Sequence, residues 1–136
     1  MSNTRISFIP TVPGLVTPPG YSYAAVAPPG RLVYVAGQVG LDEHGVLVGK
    51  DDFAAQVQQA FANLQRILAA AGCMAADVLK MTYFVVGLTP ERLASVRSAR
   101  NDFFPGDKPA STLLGVQALF SPDCLFEVEA VAVLPG

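Results

Sequence analysis

The chain has 136 residues, about half of them hydrophobic, only 15% charged and with a net charge of -2. That length fits one domain, residues 1–136, with a real core, while so few charges leave too little polar surface for an isolated sphere and point to burial against further copies of the chain. The charge balance and the lack of any Lys/Arg cluster give nucleic acid no electrostatic footprint, and no stretch approaches the roughly 20 apolar residues of a membrane helix.

The first residues, Met1-Ser2-Asn3-Thr4, carry no apolar run of a signal peptide, so the cytoplasm is the expected location. Cys73 and Cys124 stand among apolar neighbours and read as reduced, buried thiols. With one histidine, His44, in a turn-like Asp-Glu-His-Gly, neither a cysteine–histidine pair nor a zinc site is expected.

Residues 1–20 hold Pro10, Pro13, Gly14, Pro18, Pro19 and Gly20, a density that predicts an extended arm with at most a short strand at 6–9. Residues 21–26 and 31–39 read as strands joined through Pro28-Pro29-Gly30, which predicts a hairpin. Gly37 and Gln38 interrupt the apolar run of the second strand, and a glycine there marks a bulge or the close approach of a backbone or ligand.

Asp51 is the expected cap of a long helix. Its apolar positions Phe53, Val57, Ala60, Phe61, Leu64, Ile67, Leu68 and Ala71 form one stripe, with Gly72 as its stop. Gln56, Gln59 and Asn63 fall on the other side and read as a solvated face. Residues 77–86 form a strand that alternates Val78, Lys80, Thr82 and Phe84 against Leu79, Met81, Tyr83 and Val85, with Lys80 in reach of a glutamate of the last strand.

Thr89 and Pro90 start a second helix that Pro105-Gly106 ends. Leu93, Val96, Arg100 and Phe103 fall on its inner stripe with Arg97 close beside it. An arginine there is either a snorkelling stem at the core edge or a guanidinium presented to an acidic group.

The remaining stretches, 108–116 and 124–133, predict a C-terminal hairpin. In its last strand Leu125, Glu127, Glu129, Val131 and Val133 share one face and Phe126, Val128, Ala130, Ala132 and Leu134 the other. A carboxylate in an apolar row must face water, meet a cation or line a polar cleft. The resulting class is α+β, a mixed sheet with both helices on one face and the other face left to an oligomer contact.

Several short motifs occur in an order that resembles the reactive intermediate deaminase family (RidA/YjgF-like, endoribonuclease L-PSP-like). They are Tyr21-Ser22 with Ala24 for Gly-Pro-Tyr-Ser-x-Ala, Gly37-Gln38 for Ser-Gly-Gln, the Gln-rich helix ending at Gly72, and the run from Asp77 to Thr82. The helix end at Pro105, Pro109-Ala110-x-Thr112 and the run from Glu127 to Ala132 complete the set.

The resemblance implies a chorismate-mutase-like homotrimer with ligand clefts between subunits, and hydrolysis of enamines or imines such as 2-iminobutanoate to a 2-oxo acid and ammonia without metal or organic cofactor. It implies Glu127 as the carboxylate that positions water and Tyr21 at the cleft wall; in a divergent member Ser111 and Thr112 would donate hydrogen bonds to the substrate and Arg97 would restore a cation, and Gly37 and Gln38 are either part of the same substrate-binding set or a packing bulge and a backbone-satisfying amide. Three positions depart from the pattern. Ser111 replaces the arginine that would grip a substrate carboxylate, Ala36 replaces a serine and Arg97 an asparagine.

Losing a charge-assisted fork of that kind costs about 2–5 kcal/mol of binding, so a substrate other than the archetypal one is expected. The alternative is a non-catalytic trimer that binds a small metabolite. Ribonuclease activity, implied by the L-PSP name, fits poorly with the acidic balance and lone loop histidine.

Overall fold

The computed structural model describes residues 5–136, so the first four residues of the expected arm lie outside it. Its elements are β1 (Ser7–Ile9), β2 (Ala24–Val26), β3 (Leu32–Gln38), α1 (Phe53–Ala71), β4 (Val78–Val86), α2 (Pro90–Phe103), β5 (Ala110–Val116) and β6 (Phe126–Val133). The main sheet has the order β3-β6-β4-β5, and β1 pairs with β2 in a separate two-stranded sheet. This is the α+β architecture expected from the sequence, with a short strand in the arm.

Two expected hairpins do not form. β2 pairs antiparallel with β1, and β3 goes to β6 instead. The connector bends at residues 29–30, and its two prolines fix φ and remove two N–H donors, so it does not form the tight hydrogen-bonded turn of a hairpin. At the C-terminal end β4 lies between β5 and β6, parallel to the first and antiparallel to the second. A parallel neighbour needs a long crossover, and α2 supplies it between β4 and β5.

α1 and α2 pack on one face of the sheet, where Val57, Leu64, Leu68 and Val96 meet Met81, Val85, Phe126 and Val128, all at most 1% exposed. Phe61 stacks on Phe126 with ring centroids 6.2 Å apart. Alternation along β4 and β6 does the sorting, since every second residue is core and the rest face outward.

The cap of α1 is Asp52, whose carboxylate accepts from Ala55 N–H at 3.1 Å; Asp51, expected in that role, sits in the turn before it with φ 61°. Gly72 stops α1 and Thr89 caps α2 as the sequence indicated. Lys80 donates to Thr112 Oγ1 at 2.6 Å rather than pairing with a glutamate.

The polar side of α1 is no solvated face. Gln56 is fully buried and donates to Gly49 O and Asp123 O, each at 3.1 Å, while its Oε1 accepts from Leu125 N–H at 2.8 Å. Asn63 donates to Leu41 O at 2.8 Å and Val39 O at 3.2 Å, and Gln59 donates to Asn63 Oδ1 at 2.9 Å. These amides satisfy loop backbone that would otherwise be buried unpaired.

Replacing Gln56 with alanine leaves one N–H and two carbonyls without their partner in a dry site. A loss of about 3 kcal/mol or more is expected, read as a lower urea midpoint with an unchanged slope.

Candidate functional site

β6 crosses the middle of the sheet, so its outward side chains stand at the centre of the open face. Glu127 pairs across to Phe84 and Glu129 to Thr82, and both glutamates are half-buried. Around them the face carries Tyr34 at 75% exposure, Leu32 at 48% and Leu114 at 40%. In a monomer these apolar side chains would stand in water.

β3 bulges beside this strand. Its pairing runs from Val35 opposite Ala130 to Gln38 opposite Val128, so Ala36 and Gly37 together face the single residue Glu129. The carboxylate of Glu127 lies directly on Gly37, where a Cβ would come within 2.8 Å of Cδ. Glycine is what lets the two meet. Gln38 folds its amide back onto the bulge, donating to Ala36 O at 3.1 Å and Gly37 O at 3.3 Å.

Burial pushes the Glu127 pKa above the usual carboxylate value, and the neighbouring Glu129 charge pushes it further the same way. Among the described residues no cation pairs with it. A carboxyl poised in this way is suited to exchange protons with a water or a basic substrate nitrogen.

A second group of expected residues gathers at the β5 edge. Ser22 bridges to Ala110, its N–H donates to Pro109 O at 3.1 Å and its hydroxyl to Lys108 O at 2.6 Å. This stitching fixes Tyr21, whose ring meets Tyr23 edge-on at 6.0 Å. Tyr21 lines an open cleft of about 380 Å³ between the arm, the 17–22 loop and residues 106–108.

Ser111 pairs with Met81, whose side chain is fully buried, so the serine belongs to the helix-covered side of the sheet. Thr112 pairs with Thr82 on the open side. Arg97 is exposed on α2.

The expected set therefore divides. Gly37, Gln38 and Glu127 form one niche, Thr112 shares its face two strands away, and Tyr21 and Ser111 belong to the opposite edge. One chain does not bring Glu127 and Ser111 together.

The functional candidate that the family pattern did not single out is Arg100. It is 7% exposed, its Nε has no hydrogen-bond partner among the described residues, and its guanidinium occupies the space where a side chain at Gly20 would begin. Its place on the inner stripe of α2, and a glycine immediately before Tyr21, were the signals available for it.

The endoribonuclease L-PSP family model matches residues 16–134. A Yersinia pestis protein of the Rid family, YyfB, whose function is described as unknown, is 38% identical over 96% of this chain and 99% of its own, with a TM-score of 0.88. RidA from an Antarctic Psychrobacter is 28% identical over 93% of this chain and 94% of its own, with a TM-score of 0.69. A Mycobacterium tuberculosis member of the YjgF family is 29% identical over 95% of this chain and 99% of its own, with a TM-score of 0.65. No helix among the described residues is long and apolar enough to cross a membrane.

The raised Glu127 pKa fixes the sign of a pH effect. Between its unfolded value near ~4.3 and its higher folded value, the folded state binds more protons, so stability falls as pH rises through this window. Glu127→Gln is expected to be more stable than the wild type at pH 7, with the gain vanishing below about pH 4. Urea titrations at several pH values check it, and an advantage that grows on acidification contradicts the assignment.

Proposed function

The chain belongs to the endoribonuclease L-PSP family, and from that premise we propose that it hydrolyses a small enamine or imine to a carbonyl compound and ammonia. The observation that carries this reading is Glu127, a carboxyl of raised pKa seated on the Gly37 bulge with no cation paired to it among the described residues.

The steps need only water and that group. Protonated Glu127 gives the enamine a proton at carbon, which makes an iminium; its carboxylate then takes a proton from a held water as the oxygen bonds to the iminium carbon. Glu127 passes that proton to the carbinolamine nitrogen, the C–N bond breaks and ammonia leaves, and the hydroxyl proton returns to Glu127 as the C=O forms. Positioned proton transfer of this kind contributes about 10²–10⁴-fold. A carboxyl with a raised pKa gives up and takes back a proton in both directions of transfer more evenly than an ordinary one.

The working unit in this reading is a homotrimer. The open face exposes Tyr34, Leu32 and Leu114 around the two glutamates, and contact with further copies would remove that apolar surface from water. Ser111 lies on the far side of the sheet from Glu127, and Tyr21 stands next to the Ser22 bridge at the β5 edge, so in this reading a site containing all three draws on two copies. Ser111 in place of a guanidinium supports a substrate different from 2-iminobutanoate, and it equally motivates a second reading, a trimer that binds a metabolite without turning it over.

Ammonia release from imines generated in situ by an amino-acid dehydratase or oxidase separates these. Turnover that falls at least about 100-fold in Glu127→Gln is expected; saturable binding with no Glu127-dependent release on any imine tested retires the hydrolase in favour of the binder. Sedimentation is expected to give the mass of three chains, and Tyr34→Glu, which places a charge in the middle of the apolar face, is expected to yield monomers.

A further inference from the structure

The strands of the main sheet carry three charged residues, Lys80, Glu127 and Glu129, and all three stand on the open side. Alternation puts Lys80 on the face of Thr82, which lies opposite Glu129. Diagonal cross-strand neighbours of this kind are within reach of a long side chain. The lysine nevertheless turns the other way and donates to Thr112 Oγ1 at 2.6 Å.

β4 therefore separates the two signs. It runs between β6 and β5, with the glutamates on its β6 side and the ammonium drawn to its β5 side. No cation pairs with either glutamate among the described residues. A threonine hydroxyl takes one of the three ammonium donors and offsets none of its charge. The open face thus has an acidic half over β6 and a basic half over the seam of β4 and β5, where Thr112 is exposed.

That pattern specifies what covers the face. The occupant has to be apolar where Tyr34, Leu32 and Leu114 are exposed, cationic over β6 and anionic over Lys80. A second copy of this chain meets all three requirements, when its basic half lies on the acidic half of the first. Repeated head-to-tail, such contacts close into a ring.

We propose that in the assembled protein Lys80, held by Thr112, pairs with Glu129 of the neighbouring copy. The inference rests on the trimer reading given above and adds the charge pair that fixes its direction and register. Glu129 is the acceptor because the Glu127 carboxylate is turned onto Gly37. Glu127 thereby stays free of a cation, as the hydrolytic reading requires. Covering either charge without its partner is costly, so the pair acts more by excluding wrong arrangements than by adding affinity.

The test is sedimentation of the full chain over a concentration series at fixed salt, which gives both the mass and the concentration at which half of the chains are assembled. Lys80→Met and Glu129→Gln are each expected to raise that concentration at least about 30-fold, because each leaves the other charge covered and unpaired. The double variant is expected to recover most of the loss, since it removes both charges. Thr112→Val, which deletes the hydroxyl that holds the ammonium and no charge, should weaken assembly several-fold.

A wild-type mass of three chains with additive losses in the double variant overturns the pair and leaves the trimer reading standing. A wild type that stays monomeric overturns both. Coupling of the two residues in urea unfolding of the dissociated chain, with none in assembly, makes them a pair within one chain and also overturns the inference. Should Lys80→Met not fold, Glu129→Gln and Thr112→Val decide the matter, and wild-type assembly in both rules the pair out.

Discussion

The structure depends on one strand serving two environments. β6 lies between β3 and β4, and its alternate residues Phe126, Val128, Ala130 and Ala132 fill the core under α1. The same two-residue period sends Glu127 and Glu129 to the other side. A slip of one residue would drive both carboxylates under the helix and expose the core, so the register that secures the fold is also the register that places Glu127 on Gly37. Its pKa is raised by the burial that this placement brings, with Glu129, two residues on, adding to it.

The loops are held to this frame by amides. Gln56 reaches the turn before α1 and the turn into β6 at once, and Asn63 with Gln59 holds the segment after β3. The bulge that carries Gly37 is thus followed directly by backbone pinned to α1. Each of these bonds is modest in net worth, but leaving the buried groups unmade is expensive, which makes the polar side of α1 part of the structural support of the candidate niche.

Helices and faces were legible because they are local. The caps at Thr89 and Gly72, the apolar stripe of α1 and the alternation of β6 are written in neighbouring residues, and the structure bears them out. Strand partners were not legible, because pairing is decided by crossovers; nothing in residues 108–133 says that β4 enters between β5 and β6. The polar side of α1 misled for a related reason, since the carbonyls that Gln56 and Asn63 satisfy belong to distant loops. Among the site residues, position within the family pattern drew attention to Arg97, whereas burial singles out Arg100, three residues away and on the inner stripe.

Glu127 and Arg100 depart from their ordinary pKa values in opposite directions for the same first reason: each is desolvated by burial, with no salt-bridge partner among the described residues. They cannot neutralise one another, because β6 presents the carboxylate to the open face while the guanidinium lies with Tyr83 on the helix side. Both are therefore costs to the folded chain. Any species that binds the folded state and compensates either charge stabilises it according to its occupancy, as a donor brought against Glu127 by a neighbouring copy would in the proposed trimer. A sequence that keeps two such uncompensated charges in one small domain gives up stability as an isolated chain, and the places where it does so are the places where ligand and neighbouring subunit have the most to add.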